Sequence, residues 1–197
     1  MLASITPLGQ RGRGASWSRT VVAYVVTSVM GGAVMGLAWG ALGDVTLSDW
    51  TPGAHRDWPV LLVGVLAVVA GLSDLRGRPP SVHRQVDETW LTSYRDWVHG
   101  AGFGFQLGLG AVTIVTSASL YLTWLLELVV ARPVTSAVIG AVFGLTRALP
   151  LLTTAGANDP ASLRAAHRRW QAWQPPVRLL TTATQLAAGA ALLAVAR

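Results

Sequence analysis

The apolar phrase VTSVMGGAVMGL at residues 26–37 returns as VTSAVIGAVFGL at residues 134–145, with eight of twelve positions identical. Both copies carry small residues at every fourth position, which places them on one face of a helix. Small faces of this kind let a neighbouring backbone approach closely in membrane helices. We therefore predict two membrane helices that pack through small residues, namely Ser28, Gly32, Gly36 and Gly40 in the first and Ser136, Gly140, Gly144 and Ala148 in the second.

The composition of the chain is that of a membrane protein. Its 197 residues are 52% hydrophobic and 12% charged, and the mean hydropathy is +0.47. A soluble domain usually has about 25% charged residues. The fifteen basic residues are all arginines, and most lie in short segments between apolar runs, so we expect the lipid bilayer as a partner and no nucleic acid. The absence of cysteine excludes disulfides, thiol redox chemistry and cysteine metal sites.

Five apolar runs approach or exceed the length that crosses a bilayer. The predicted spans cover about 20–43, 58–73, 100–130, 134–154 and 179–196. Only helices satisfy their own backbone polar groups in lipid, so the predicted fold is an all-α polytopic transmembrane bundle forming one domain over 1–197. The second span is the shortest, and whether it crosses fully stays open. The third is long enough to be tilted or bent.

Arginine distribution predicts the orientation. With the N-terminus inside, eleven arginines fall in cytoplasmic segments and three outside, as the positive-inside rule requires. The prediction is a bacterial cytoplasmic (inner) membrane protein with a basic cytoplasmic tail at 1–19 and the C-terminus outside. Spans one and four then run in opposite directions, which predicts an inverted repeat with a working site between its halves. The alternative is chance similarity between two segments rich in glycine, alanine and valine.

An amphipathic helix is predicted at 81–98, where apolar residues recur at every fourth position. Aromatic residues on its apolar side suit a helix lying in the headgroup region. The connector around Trp170 and Trp173 repeats this pattern more weakly. Either segment could cap the bundle or form a docking surface for a cytoplasmic partner.

Polar residues in the third span are the main candidates for a substrate path. Gln106, Thr113, Ser117 and Tyr121 are spaced by seven, four and four residues, which predicts one polar stripe on a helix. Such a stripe lines a polar path or makes bonds between helices. Arg147 is the one charge well inside a predicted span. It either snorkels to the inner headgroups or acts as an anion-facing or gating residue, and Glu127 is predicted to lie too far away to pair with it.

No pattern points to catalysis. The outer loop holds Asp44, Asp49, His55 and Asp57 without a known metal-ligand spacing, so a solvated turn is expected. The sequence has no phosphate-binding loop, nucleophile elbow or HExxH motif. We expect no enzyme activity, no metal and no cofactor.

The glycine-rich third span and the repeated phrase resemble the transmembrane electron carriers of cytochrome c biogenesis (CcdA/DsbD-like) and sulfite-exporter-like membrane proteins. The resemblance covers two or three spans and implies a small fold built on repeats. Those carriers work through a Pro-Cys pair in each repeat, whereas this chain has no cysteine, so the resemblance implies at most a role without redox chemistry. The segment RQVDETWLTSYRDWVHGAGFGFQLGLG at 84–110 is also similar to a signature of actinobacterial membrane proteins.

Two functions fit these features. The first is a small non-redox transporter or exporter, with its path along Gln106, Thr113, Ser117 and Tyr121 and Arg147 as a gate; five spans enclose little volume, so a homodimer is a corollary. The second is a non-catalytic accessory or scaffold subunit that meets a membrane partner protein through its two amphipathic connectors. A buried cavity beside the stripe would favour transport, and tight packing there would favour the accessory role.

Overall fold

The computed structural model describes residues 5–12, 14–47, 58–77, 95–110 and 117–196. Every secondary-structure element within these ranges is helical, which confirms the predicted all-α bundle. The elements in chain order are α1 (Pro7–Arg11), α2 (Trp17–Leu47), α3 (Trp58–Leu75), α4 (Asp96–Leu109), α5 (Ser119–Val130), α6 (Pro133–Ala148), a 3₁₀ helix (Leu149–Thr154) and α7 (Pro160–Val195).

Within the described ranges, four segments are long and apolar enough to cross a membrane. They are α2, α3, α6 with its 3₁₀ extension, and α7. The third predicted span, at 100–130 and expected to be tilted or bent, is divided between two helices, because α4 ends at Leu109 and α5 starts at Ser119. At 1.5 Å per residue α4 and α5 are about 21 and 18 Å long, and each is too short alone for a hydrocarbon core of about 30 Å.

The bundle places small residues inside and large apolar residues outside. In α2, Ser28, Gly32 and Gly36 are buried while Val26 and Val34 are about half exposed. This is the reverse of a water-soluble core. It fits a helix whose outer face meets lipid and whose inner face gains contact by close backbone approach.

Helices α2 and α6 pack in antiparallel directions through the two repeated phrases. Ser28 lies beside Gly144, Gly32 beside Gly140, and Gly36 beside Ser136. A Cβ atom added at Gly32 would meet the Gly140 carbonyl, and one added at Gly140 would meet the Gly32 carbonyl. The Ser28 hydroxyl also donates to the Gly144 carbonyl oxygen at 2.8 Å. The two backbones touch along these rows of small residues, which we call the ladders. This contact therefore leaves no room for a solute between α2 and α6.

Helices α4 and α5, which together we call the interrupted span, run alongside α2 in the same direction as α2. Gly100 lies against Thr20 and Gly108 against Ser28, and further along Gly43 lies against Leu128. The Leu109 amide nitrogen lies beside Gly31, at the middle of the 31-residue α2. The C-terminal end of α4 therefore lies beside the middle of α2 and not beside either of its ends.

Helices α3 and α7 form an antiparallel pair. Gly64 lies beside Leu193 and Gly71 beside Leu186, and α3 also contacts α5. The predicted fifth span at 179–196 is only the second half of α7, which continues through Pro175 and Pro176 and includes the tryptophan-rich connector.

Helix α7 starts early because its connector is rich in alanine, arginine and glutamine, which are good helix formers. Asp159 caps its first turn by accepting from the Ala161 and Ser162 amides at 2.8 and 2.9 Å. Hydrogen bonds from Ser162 hold the pKa of the Asp159 carboxyl below its usual range.

Part of the predicted N-terminal tail is folded. The Trp17 indole donates to the Ile5 carbonyl at 3.0 Å, and the Leu8 amide donates to the Ala157 carbonyl at 3.1 Å. Residues 5–12 thus pack against the chain that follows the 3₁₀ helix. The predicted amphipathic helix at 81–98 falls outside the described residues except for 95–98, as does the outer loop at 48–57.

Candidate functional site

The interruption begins at Gly110, which has a left-handed backbone with φ of 76°. Its amide donates to the carbonyl oxygens of Gln106 and Leu107, both at 3.2 Å, which is a common way to end a helix. A Cβ at this position would be 2.5 Å from a methyl group of Leu120. Both the backbone conformation and the space therefore require glycine here.

Arg147 reaches the C-terminal end of α4 from α6. Its Nη1 donates to the Leu107 carbonyl oxygen at 2.8 Å, and its guanidinium lies 5.5 Å from the centroid of the Phe143 ring. The C-terminus of a helix carries partial negative charge, so a cation is stabilised there. The guanidinium of Arg147 therefore has a protein partner at the end of α4.

Asp74 reaches the N-terminal end of α5 from α3. It is 3% exposed. Its Oδ1 accepts from the Ala118 amide at 2.8 Å, and its Oδ2 accepts from the Ser117 hydroxyl at 2.6 Å and the Gln185 amide at 3.1 Å. A carboxylate at a helix N-terminus interacts favourably with the helix dipole and caps free backbone amides.

Arg178 of α7 caps the C-terminal end of α3. Its Nε donates to the Asp74 carbonyl oxygen at 2.9 Å, and its Nη2 donates to the Leu75 carbonyl oxygen at 3.0 Å. Asp74 therefore contacts α5 through its side chain and α7 through both its side chain and its backbone.

Both internal ends of the interrupted span thus meet an opposite charge from another helix. Arg147 donates to a carbonyl oxygen at the C-terminal end of α4, and Asp74 accepts from a backbone amide at the N-terminal end of α5. Irregular backbone inside a membrane protein is tolerated only where protein groups or water satisfy it. The two contacts thus stabilise the C-terminal end of α4, which lies beside Gly31, and the N-terminal end of α5.

Glu127 is a second buried acid, at the interface of α5 and α6. It is 1% exposed, and its Oε2 has no hydrogen-bond partner among the described residues. Its backbone carbonyl accepts from the Ser136 hydroxyl at 2.7 Å. A Cβ added at Gly140 would be 2.9 Å from its Oε1, so the carboxyl lies directly over that glycine.

Aromatic side chains gather one turn before Glu127. The Trp124 ring lies 5.9 Å from the Trp39 ring and 5.9 Å from the Tyr121 ring, which meets it edge-on. The faces of tryptophan and tyrosine attract cations. A carboxyl group without a partner and an aromatic cluster therefore occupy the same stretch of α5.

The residues predicted as a stripe do not share one helix face. Gln106 lies on α4, and its buried Oε1 has no hydrogen-bond partner among the described residues. Ser117 lies just before α5 and donates to Asp74, and Tyr121 lies on α5. Thr113 falls outside the described residues. The stripe required a continuous helix, and the left-handed Gly110 ends that helix.

Sequence reasoning missed Asp74 and the role of Gln185. The signal for Asp74 was present, because an acidic residue directly follows a run of apolar residues at the end of the second span. That span was ended at Ser73, which placed Asp74 in a loop. Among the described residues, no group of three His, Asp or Glu side chains could hold a metal ion.

Replacing Arg147 by leucine should destabilise the protein by about 2–3 kcal/mol, because the last carbonyls of α4 lose a charged donor. Lysine should lose less, since it keeps the charge with fewer donors in place. Thermal unfolding in detergent, followed by tryptophan fluorescence, measures both. Arg169→Leu, at an exposed position on α7, is the control; an equal effect there would mean that the Leu107 contact contributes nothing special.

No protein-family profile and no solved structure matches the chain. The chain is similar to the methylamine utilization protein MauF of Methylophilus methylotrophus, with 28% identity over 180 residues that make up 86% of this chain. The match spans 60% of the length of that curated relative.

Proposed function

We propose that this membrane protein is a small non-redox transporter whose path passes the C-terminal end of α4 and the N-terminal end of α5. The observation that carries the proposal is the pair of half-helix ends held inside the bundle by Arg147 and Asp74. Discontinuous helices of this kind form the substrate and ion sites of many secondary transporters.

The path proposed here differs from the one expected between the repeats. Direct contact of Gly32 with Gly140 closes that route. The facing ends of α4 and α5 remain. Ser117 and Tyr121, two of the residues proposed from sequence, lie at or on α5, and a third, Arg147, reaches the end of α4 from α6. An inverted repeat stays part of the proposal, supported by the reciprocal contacts of the two ladders.

Small alkylammonium ions are the proposed solutes. MauF is named for methylamine utilization, and methylamine is a cation at neutral pH. Glu127, whose Oε2 has no hydrogen-bond partner among the described residues, lies on the same helix as Trp124 and Tyr121. A carboxylate and aromatic faces are the two features that bind such a cation.

The test is uptake of radiolabelled methylamine by proteoliposomes that contain the purified protein. We expect Glu127→Gln to reduce uptake at least about tenfold, because the charge that attracts the ammonium is lost; a tenfold change corresponds to about 1.4 kcal/mol. The unfolding temperature should stay equal or rise, since the variant removes a buried charge without a partner. Asp44→Asn, at an exposed position of α2, is the matched control.

Uptake by the wild type that does not exceed empty liposomes, for methylamine and for ethylamine, would exclude these solutes. Uptake that Glu127→Gln leaves unchanged would show that the carboxyl is not on the path. In either case the transport proposal would be abandoned in favour of the accessory role.

The accessory role is the second candidate, and the N-terminal half of α7 favours it. Arg164, Arg168 and Arg169 are exposed there, and Trp173 is 62% exposed. The Trp170 indole donates to the Thr153 hydroxyl at 2.7 Å, which holds this half against the 3₁₀ helix. An exposed basic and aromatic helix suits a partner protein or the headgroup region.

Complementation of a MauF-deficient strain of Methylophilus methylotrophus separates the two roles. If the chain restores growth on methylamine, an accessory protein should lose this ability in Trp173→Ala with Arg168→Glu and keep it in Glu127→Gln. A transporter should show the opposite pattern, with protein levels in the membrane checked for each variant.

A further inference from the structure

A cavity of about 340 Å³ lies where α1, the start of α2 and the turn before α7 meet. Its polar and aromatic lining consists of Arg11, Trp17, Ser18 and Asn158, and the rest is proline and alanine. This volume is within the range of small-molecule binding sites. Neither the proposed transport path nor the exposed half of α7 includes this cavity.

Hydrogen bonds between distant segments hold the walls of the cavity in place. The Leu8 amide donates to the Ala157 carbonyl at 3.1 Å, which ties α1 to the turn before α7. The Trp17 indole donates to the Ile5 carbonyl at 3.0 Å, which ties the start of α2 to the chain before α1. The cavity is therefore formed before any ligand enters, and the Trp17 ring is a fixed part of its wall.

The polar groups of the lining suit an anion. The side chains of Arg11 and Asn158 are exposed and make no hydrogen bond within the described residues. The Ser18 hydroxyl lies 3.1 Å from the Ser16 hydroxyl. No carboxylate lines the cavity, and the adjacent Asp159 uses its Oδ1 to accept from two amides of α7. A guanidinium with free donors matches the oxygens of a phosphate group.

An apolar row on α2 leads from this cavity into the membrane. Residues four apart are neighbours on a helix surface, and Ser18 is followed at this spacing by Val22, Val26 and Met30. These three side chains are 61%, 51% and 54% exposed. The row therefore joins a site for a phosphate group to a surface on which a hydrocarbon chain can lie.

We propose that the cavity binds the headgroup phosphate of an anionic phospholipid, with one acyl chain along the row from Val22 to Met30. Arg11 would bind the phosphate oxygens, and Ser18 and Asn158 would donate to the phosphate or to the glycerol hydroxyls of the headgroup. Tryptophan favours the level of the headgroups, which fits Trp17 at the start of a spanning helix. This site does not depend on whether the protein is a transporter or an accessory subunit.

Charge and shape favour this ligand over two others that carry phosphate. Inorganic phosphate could bind Arg11 but would gain nothing from the apolar row. A zwitterionic phospholipid could use the row, but its ammonium group would lie near Arg11 and the neighbouring exposed Arg19, where it is repelled. Phosphatidylglycerol has the phosphate and the acyl chains without that second charge.

The test is thermal unfolding of the purified full chain in detergent micelles with added phosphatidylglycerol, or with phosphatidylcholine of the same acyl chains. We expect phosphatidylglycerol at about ten times its Kd to raise the unfolding temperature by about 3–5 °C. Phosphatidylcholine, and inorganic phosphate at equal ionic strength, should raise it by less than half as much. Arg11→Gln should lose the rise, while Arg19→Gln, which removes an exposed charge outside the cavity lining, should keep it.

Ser18→Glu is a second variant whose folding is not at risk. A carboxylate in the first turn of α2 interacts favourably with the helix dipole, so the variant should unfold at or above the wild-type temperature without lipid. The same carboxylate should repel the phosphate and abolish the rise with phosphatidylglycerol. The proposal is overturned by an equal rise with phosphatidylcholine or with inorganic phosphate, by a full rise in both Arg11→Gln and Ser18→Glu, or by no rise in the wild type.

Discussion

Replacing Gly32 by alanine should lower the unfolding temperature by about 10 °C, and Gly140→Ala should do the same. The added Cβ would overlap the carbonyl group of the facing glycine, and a backbone carbonyl cannot rotate away as a side chain does. Helices α2 and α6 would have to separate along their whole contact, which also weakens the Ser28 bond to Gly144. A cost of about 3 kcal/mol corresponds to roughly 10 °C in a chain of this size.

The sign of this effect makes the test sharp. Within a helix, alanine is more favourable than glycine by about 1 kcal/mol, so a Gly→Ala change in a loosely packed helix should raise stability. Gly156→Ala, in the turn after the 3₁₀ helix, is the control for adding a methyl group without a clash, because nothing lies within 4 Å of a Cβ at that position; it should change the unfolding temperature by 2 °C or less. Unfolding of Gly32→Ala at or above the wild-type temperature would show that the two backbones do not touch.

The ladders were predictable from sequence because their signal is local. Four small residues at a spacing of four lie on one helix face whatever surrounds them, and the antiparallel direction followed from counting arginines on either side. The approximate positions of α2, α3 and α6 were likewise predictable, because each coincides with a run of apolar residues.

The interruption was not predictable in the same way. Gly110 is one of several glycines in a run, and its left-handed backbone depends on Leu120 and on the Arg147 guanidinium nearby. Arg147 donates to a backbone carbonyl oxygen. Every residue has such a carbonyl, so the sequence does not indicate which one is the partner. Partners of this kind become visible only when the chain has folded.

The hydrogen bonds of the Asp74 carboxylate join residues from three distant parts of the chain. Ser117 and Gln185 are 43 and 111 residues from Asp74, and neither has a spacing that relates it to an acid. The sequence shows each of them as an ordinary polar residue near an apolar run. Their roles follow from the pairing of α3 with α7 and from the place where α4 ends.

Replacing Asp74 by alanine should cost about 3–5 kcal/mol and lower the unfolding temperature by 10 °C or more. Three donors would be left buried without an acceptor: the Ala118 amide, the Ser117 hydroxyl and the Gln185 amide group. The same carboxylate joins α3 to α5 and α7, so its loss should also loosen α3 from the interrupted span. Asp44→Ala, which removes an exposed carboxylate from α2, should change the unfolding temperature by 2 °C or less.

Asparagine at position 74 separates hydrogen bonding from charge. Its oxygen can still accept from the Ala118 amide, the Ser117 hydroxyl can turn to accept, and the Gln185 amide can flip to present its oxygen. Asp74→Asn should therefore keep most of the stability and lose about 1–2 kcal/mol of charge-assisted bonding. Thermal unfolding of all three variants in the same detergent gives these numbers. If Asp74→Ala were as stable as Asp44→Ala, the carboxylate would not be what holds α3 to α5, and the half-helix would need another source of order at its N-terminal end.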